Sequence, residues 1–149
     1  MVSAVKWQAA PTVTSIMTTA LNSLANNTIS AASTVVANQT NLDTLSWFEL
    51  NVTYGVAPSD ANPTVDLYAA TAPDGTNYET APLTGGANQG HMFIGSFPIA
   101  KVTSAQRVVI GPFAFDPMTT KFYLDNQTGQ AMAATGNTLD IITDNLEGK

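Results

Sequence analysis

The stretch from Lys121 to Thr143 limits what this chain can fold into more than any other. Phe122 and Leu124 alternate with Tyr123 and Asp125; after a polar centre containing Gly129 and Gly136, Leu139 and Ile141 alternate with Asp140 and Ile142. A period of two on both sides of a glycine-containing centre predicts a strand, a turn and a returning strand, that is, a hairpin. One face of each strand is apolar, so a second layer must cover it.

The same period recurs upstream. Leu45 to Tyr54 alternates along its whole length, with Phe48, Leu50, Val52 and Tyr54 on one face, and Val65, Leu67 and Ala69 alternate with Asp66 and Tyr68. Met92 to Ile99 is a further strand, kinked by Gly95 and limited by Pro98, which suits a sheet edge. Val108–Ile110 and Phe113–Phe115 continue around Gly111-Pro112, and Ile29 to Ala37 is a weak strand or extended segment. One segment follows another period: Val13, Ile16, Met17, Ala20, Leu21 and Leu24 fall at helical spacing, which predicts a short amphipathic helix over about 14–25. Residues 1–12, with Val2, Val5 and Trp7 ahead of Pro11, form an extended arm, and residues 13–149 a single domain. Seven or eight short strands separated by turns predict an antiparallel β-sandwich, jelly-roll or immunoglobulin-like, with one short N-terminal helix.

Only 11% of the residues are charged, less than half the usual share of about 25%. The outer surface is therefore polar and nearly neutral, which suits many copies packed together. The formal charge is −6 and the five basic residues are scattered, so there is no basic patch for a nucleic-acid partner. Without cysteine there is neither a disulfide framework nor a thiolate metal site. No apolar run is long enough for a signal peptide or a membrane span, so the protein is expected to be made in the cytoplasm and to contact no membrane.

The residue patterns for catalysis are missing. His91 is the single histidine, and no Gly-x-Ser-x-Gly turn accompanies it. The spacing of Asp60, Asp66, Asp74 and Glu79 matches no calcium loop, and Asp74-Gly75 reads as turn chemistry. No cofactor, metal or enzymatic activity is expected. Surface candidates are Val2, Val5 and Trp7 on the arm, Trp47, which alternation puts opposite Phe48, and Tyr78 within the long segment from Thr71 to Gly90. Asn26, Asn38, Asn51 and Asn126 each begin an Asn-x-Thr triplet, as expected by chance in so Asn- and Thr-rich a chain. The echo of Asn38-Gln39-Thr40 in Asn126-Gln127-Thr128 is too short to count as a repeat.

The segment Lys121 to Leu139, together with Met17-Thr18-Thr19-Ala20-Leu21-Asn22-Ser23-Leu24-Ala25-Asn26, Thr40-Asn41-Leu42-Asp43, Val65-Asp66-Leu67-Tyr68, Asp74-Gly75-Thr76-Asn77-Tyr78 and Gln106-Arg107-Val108-Val109-Ile110, resembles a family of small structural proteins encoded by tailed bacteriophages and prophages. The blocks occur in order from about residue 15 to 143. That resemblance implies a virion component, a decoration or cement protein on the capsid surface whose partner is the major capsid protein. A homo-oligomer, a trimer at local three-fold positions, is the expected assembly. The alternative from the residues is a carbohydrate-binding or host-attachment module of a phage particle, built on the 71–90 segment and its tyrosines.

Overall fold

The computed structural model describes residues 5–7, 10–83 and 92–148; for 5–7 and 146–148 only the backbone is considered. Eleven strands are present among them: β1 (Val5–Trp7), β2 (Thr12–Met17), β3 (Thr28–Ile29), β4 (Val36–Ala37), β5 (Leu45–Val52), β6 (Thr64–Ala72), β7 (Phe93–Pro98), β8 (Gln106–Ala114), β9 (Thr119–Gln127), β10 (Thr138–Asp144) and β11 (Leu146–Gly148). They form two packed antiparallel sheets, one ordered β2-β10-β5-β8, the other β3-β9-β6-β7 with β4 also on β9, plus a β1-β11 pair. The expected β-sandwich is present.

Alternation correctly identifies the buried faces. Phe48, Leu50 and Val52 of β5, with Leu139 and Ile141 of β10, meet Val65 and Leu67 of β6 and Phe122 and Leu124 of β9. The ring of Phe48 lies edge-on to Phe122 with centroids 4.9 Å apart and tilted against Phe113 at 6.1 Å. Such pairs add to the area they bury.

Two expectations fail. The Lys121–Thr143 stretch is not a hairpin: β9 pairs with β6, β10 pairs with β5 and β2, and residues 128–137 cross from one sheet to the other. Both apolar faces point into the same core, but from opposite sides. Nor is there a helix over 14–25. β2 occupies residues 12–17 and a single 3-10 turn spans Thr19–Leu21. Thr12, Val13, Thr14 and Ile16 are β-branched and favour strand. The helical spacing comes from a β-bulge: Leu139 faces Met17 while Asp140 faces Ser15, so Ile16 is the extra residue and it and Met17 are both buried. Two adjacent inward residues imitate a helical stripe.

The sandwich blunts most of its edges. Along β9, Ser30 N–H donates to Leu124 O (2.8 Å) while its hydroxyl accepts from Leu124 N–H (3.0 Å); Ser33 does the same to Phe122 at 2.9 and 2.9 Å. Two serines thereby complete a ladder where the segment between β3 and β4 is not itself a strand. β7, the expected edge, carries Gly95 and ends on Pro98, and a further proline, Pro112, lies in β8, whose outer side carries no strand among the described residues. At Gly111 φ is +126°, and a Cβ there would lie 3.0 Å from both Ser46 O and Trp47 Cδ1. Only glycine fits where β8 bulges opposite Trp47.

Tyr54 is buried, and burial pushes its phenol up to about 12. Its hydroxyl finds no hydrogen-bond partner among the described residues; the hydrogen of the neighbouring Thr128 hydroxyl is directed to Asn126 Oδ1 (2.7 Å). Removing such a group removes a desolvation cost, so Tyr54→Phe is expected to be neutral or to stabilise by up to about 1 kcal/mol in urea unfolding. A loss above about 1 kcal/mol would mean that the hydroxyl is bonded after all.

Candidate functional site

The strand register sorts the loops into two groups. At one end of the sandwich β5 begins, β10, β8 and β6 end and β9 begins, since Leu45 faces Asp144 and Ala114, and Ala72 faces Thr119. Loops 38–44, 73–83 and 115–118 lie there. Beyond Asp144, which faces the first residue of β5, β11 pairs with β1 in the register Trp7↔Leu146, Lys6↔Glu147 and Val5↔Gly148. Val5–Trp7 of the N-terminal arm is therefore half of a two-stranded ribbon beyond the end of the sheet that holds β2 and β10.

A buried side chain fixes this end. Asn38 is 2% exposed. Its Nδ2 donates to Asp43 O (2.7 Å), Asp116 O (3.2 Å) and Phe115 O (3.3 Å), and its Oδ1 accepts from Asp43 N–H (2.8 Å). Its own N–H donates to Met118 O at 3.2 Å. One amide thus holds two loops together across about the whole middle of the chain. Asn126, also buried, plays the same part at the opposite end, with Nδ2 donating to Leu24 O (2.9 Å) and Gln130 O (2.8 Å). Buried as they are, neither Asn38 nor Asn126 is available as a glycan acceptor.

Beside Asn38 a groove of about 200 Å³ opens between the two sheets, lined in part by Thr12, Thr14, Ile16, Val36, Phe115 and Ile141. Val13, Val35 and Leu42, all large apolar residues of this end, are about half exposed or more. The charge here is one-sided. Asp43, Asp74, Glu79, Asp116 and Asp144 lie in or beside these loops, against Lys121, whose ammonium sits 4.1 Å from the Tyr78 ring centre. Asp74 is held down at about 2, chiefly by the N–H and side-chain amide of Asn77 and then by the N–H of Thr76, so it is ionised at any physiological pH. The loops of the opposite end, 18–27, 53–63, 99–105 and 128–137, carry Asp60 and Lys101 alone.

The expected surface residues are distributed as follows. Val5 and Trp7 lie on β1, and Val2 and His91 lie outside the described residues. Trp47 is on the outer face of the four-stranded sheet, in register with Ile142, which in turn faces Val13. Tyr78 is on the other side of the molecule, near the outer face of the second sheet, where Tyr123, Tyr68 and Phe93 stand in register across β9, β6 and β7. Tyr68 and Phe93 are edge-on at 5.6 Å, and burial pushes the Tyr123 phenol up. So β1 and Trp47 belong to one side and Tyr78 to the other, all toward the ribbon end. Midway along the outer face of the first sheet, Arg107 grips Glu49 with two hydrogen bonds, 2.6 and 2.5 Å, which hold the Glu49 carboxyl below its ordinary value.

No group of three or more His, Cys, Asp or Glu among the described residues could hold a metal ion. No helix among them is long and apolar enough to cross a membrane. No protein-family model, curated protein or solved structure matches this chain.

Proposed function

We propose that this protein is a virion structural protein: a decoration protein that binds the outside of a tailed-phage head at junctions of the major capsid protein and stabilises the assembled shell, as a homotrimer. The observation that carries this reading is the placement of both paired terminal strands at the same end of the sandwich as loops 38–44, 73–83 and 115–118. Extended strands that leave a rigid body are suited to reaching neighbouring subunits. The polar surface and the tied loops agree with a body that works by contact. A protein that binds only the assembled shell shifts its stability by mass action.

Removing residues 1–11 takes away the strand partner of β11 but leaves Thr12, where β2 begins. The expected outcome is a folded domain, with circular dichroism and thermal midpoint close to those of the full chain, that no longer sediments with emptied heads. Full occupancy by the truncated protein would reject the role of the terminal strands. The second reading, a sugar-binding module, has the aromatic row in its favour, since Phe93 is 44% exposed. Against it, one face of Tyr78 is already occupied by Lys121.

A further inference from the structure

Among the described residues one stretch of sheet edge is left open. Phe115 N–H donates to Thr44 O (3.0 Å), which puts the Thr44 carbonyl toward β8, while the Thr44 N–H turns to Asp144 O (3.1 Å); at the far end of β5 Thr53 N–H donates to Asn137 Oδ1 (3.0 Å), so by alternation the odd-numbered residues of β5, Leu45 among them, face β10. Leu45 is in register with Asp144, and Thr143 and Ile141 with Thr12 and Thr14. Alternation along β10 then aims Thr12 and Thr14 at β10 and leaves the N–H and C=O groups of Val13 and Ser15 pointing outward. The bulge at Ile16 turns its carbonyl outward as well, and there Thr34 N–H meets it at 3.0 Å. From that contact the chain leaves for β9, where Val36 pairs with Thr120. The two segments diverge, and the groove opens between them with Ile16, Ile141, Val36 and Phe115 in its lining.

We infer that the free edge of β2 and this groove form an acceptor site for an extended, basic segment of a partner protein, added as a strand. The outward backbone groups of Val13 and Ser15 call for an extended main chain, and the groove receives alternate apolar side chains of it. Charge selects the partner. Asp43 lines the groove; Asp144, turned by alternation to the opposite face of β10 from Thr143, and Asp116, next to Phe115, lie at the same end without lining it, and among the described residues none of the three makes an ion pair. A segment from a second copy of a chain of net charge −6 is disfavoured there, whereas lysine or arginine on the outward positions of an added strand is favoured. Nothing in this site requires a phage head.

The test uses the full chain and a fluorescent peptide that alternates valine with lysine, followed by anisotropy at low salt, with a valine–glutamate peptide as control. Val13→Pro removes the outward N–H while leaving the β10 ladder intact. Expected are binding of the lysine peptide, loss of at least about tenfold in affinity on raising salt to about 0.5 M, a loss at least as large with Val13→Pro, and slowed amide exchange at Val13 and Ser15 of the unaltered protein when the peptide is bound. Equal binding of both peptides, undiminished binding by Val13→Pro, or no slowing at those two amides would overturn the assignment; the last readout holds even if the proline variant fails to fold. Sedimentation with heads can succeed while these fail, and the reverse.

Discussion

Phe48→Ala is expected to lower stability by about 3–5 kcal/mol. The ring is 1% exposed and contacts Phe122 from the opposite sheet and Phe113 from its own. Removing it takes away the transfer free energy of a large side chain and leaves a cavity between two sheets that β-ladders hold apart, so little can collapse into the space. Against a typical total of about 5–15 kcal/mol, the variant sits at or below the margin of folding. Urea unfolding measures it, with Val109→Ala as control: Val109 is 45% exposed on β8, and its loss is expected within about 0.5 kcal/mol. A Phe48→Ala penalty under about 1.5 kcal/mol would mean that the two sheets do not meet at this ring.

Asn38→Ala is the second. It removes three donor contacts and one acceptor contact, leaving the carbonyls of Asp43, Phe115 and Asp116 and the N–H of Asp43 to find new partners. Each buried group left without one costs about 1–3 kcal/mol; water reaches some of them at this end, so a total of about 2–4 kcal/mol is expected. Asn38→Asp separates the two halves of the role. It keeps the acceptor for Asp43 N–H but sets a carboxylate against three carbonyl oxygens, which raises its pKa above the ordinary value of about 3.9. A raised folded-state value gives stability that is fully present below the unfolded value and is lost as pH rises through the folded one. Asn38→Asp is therefore expected to lie closer to the unaltered protein at pH near 4 than at pH 7 in paired urea titrations. The same deficit at both values would contradict the arrangement around Asn38.

What could be read from the sequence follows from how far each determinant reaches along the chain. The alternation of Phe48, Leu50 and Val52 identifies both a strand and its buried face, because the pleat alone decides which side each residue takes. It does not say which sheet a strand joins. Phe122 and Leu124 face Leu139 and Ile141 across the core rather than along one ladder, and nothing within Lys121–Thr143 distinguishes the two arrangements. Ile16 and Met17 misled because a bulge breaks the period of two in the one place where β-branched neighbours were the better guide. Asn38 reads as a turn residue by local propensity, and it does end β4. What makes it a pin is a pair of carbonyls on a loop 77 and 78 positions further along, beyond the reach of any local pattern. The serines at 30 and 33 escaped for the same reason. At the ribbon end, Val5 and Trp7 are surface candidates only from their place on an arm, and Trp47 only from alternation against Phe48. The pairing of β1 with β11, the open edge at Val13 and the concentration of acids appeared only once the strand ends were in register.

The central claim is that this molecule works by contact and that the ribbon end makes it. An image reconstruction of emptied phage heads incubated with the full-length protein tests that most directly. The expected map has the sandwich on the outer surface at subunit junctions, with the β1–β11 pair and loops 38–44 and 115–118 against the shell and loops 53–63 and 99–105 turned to solvent. A map with bare shells, or with the molecule seated by its opposite end, would contradict it.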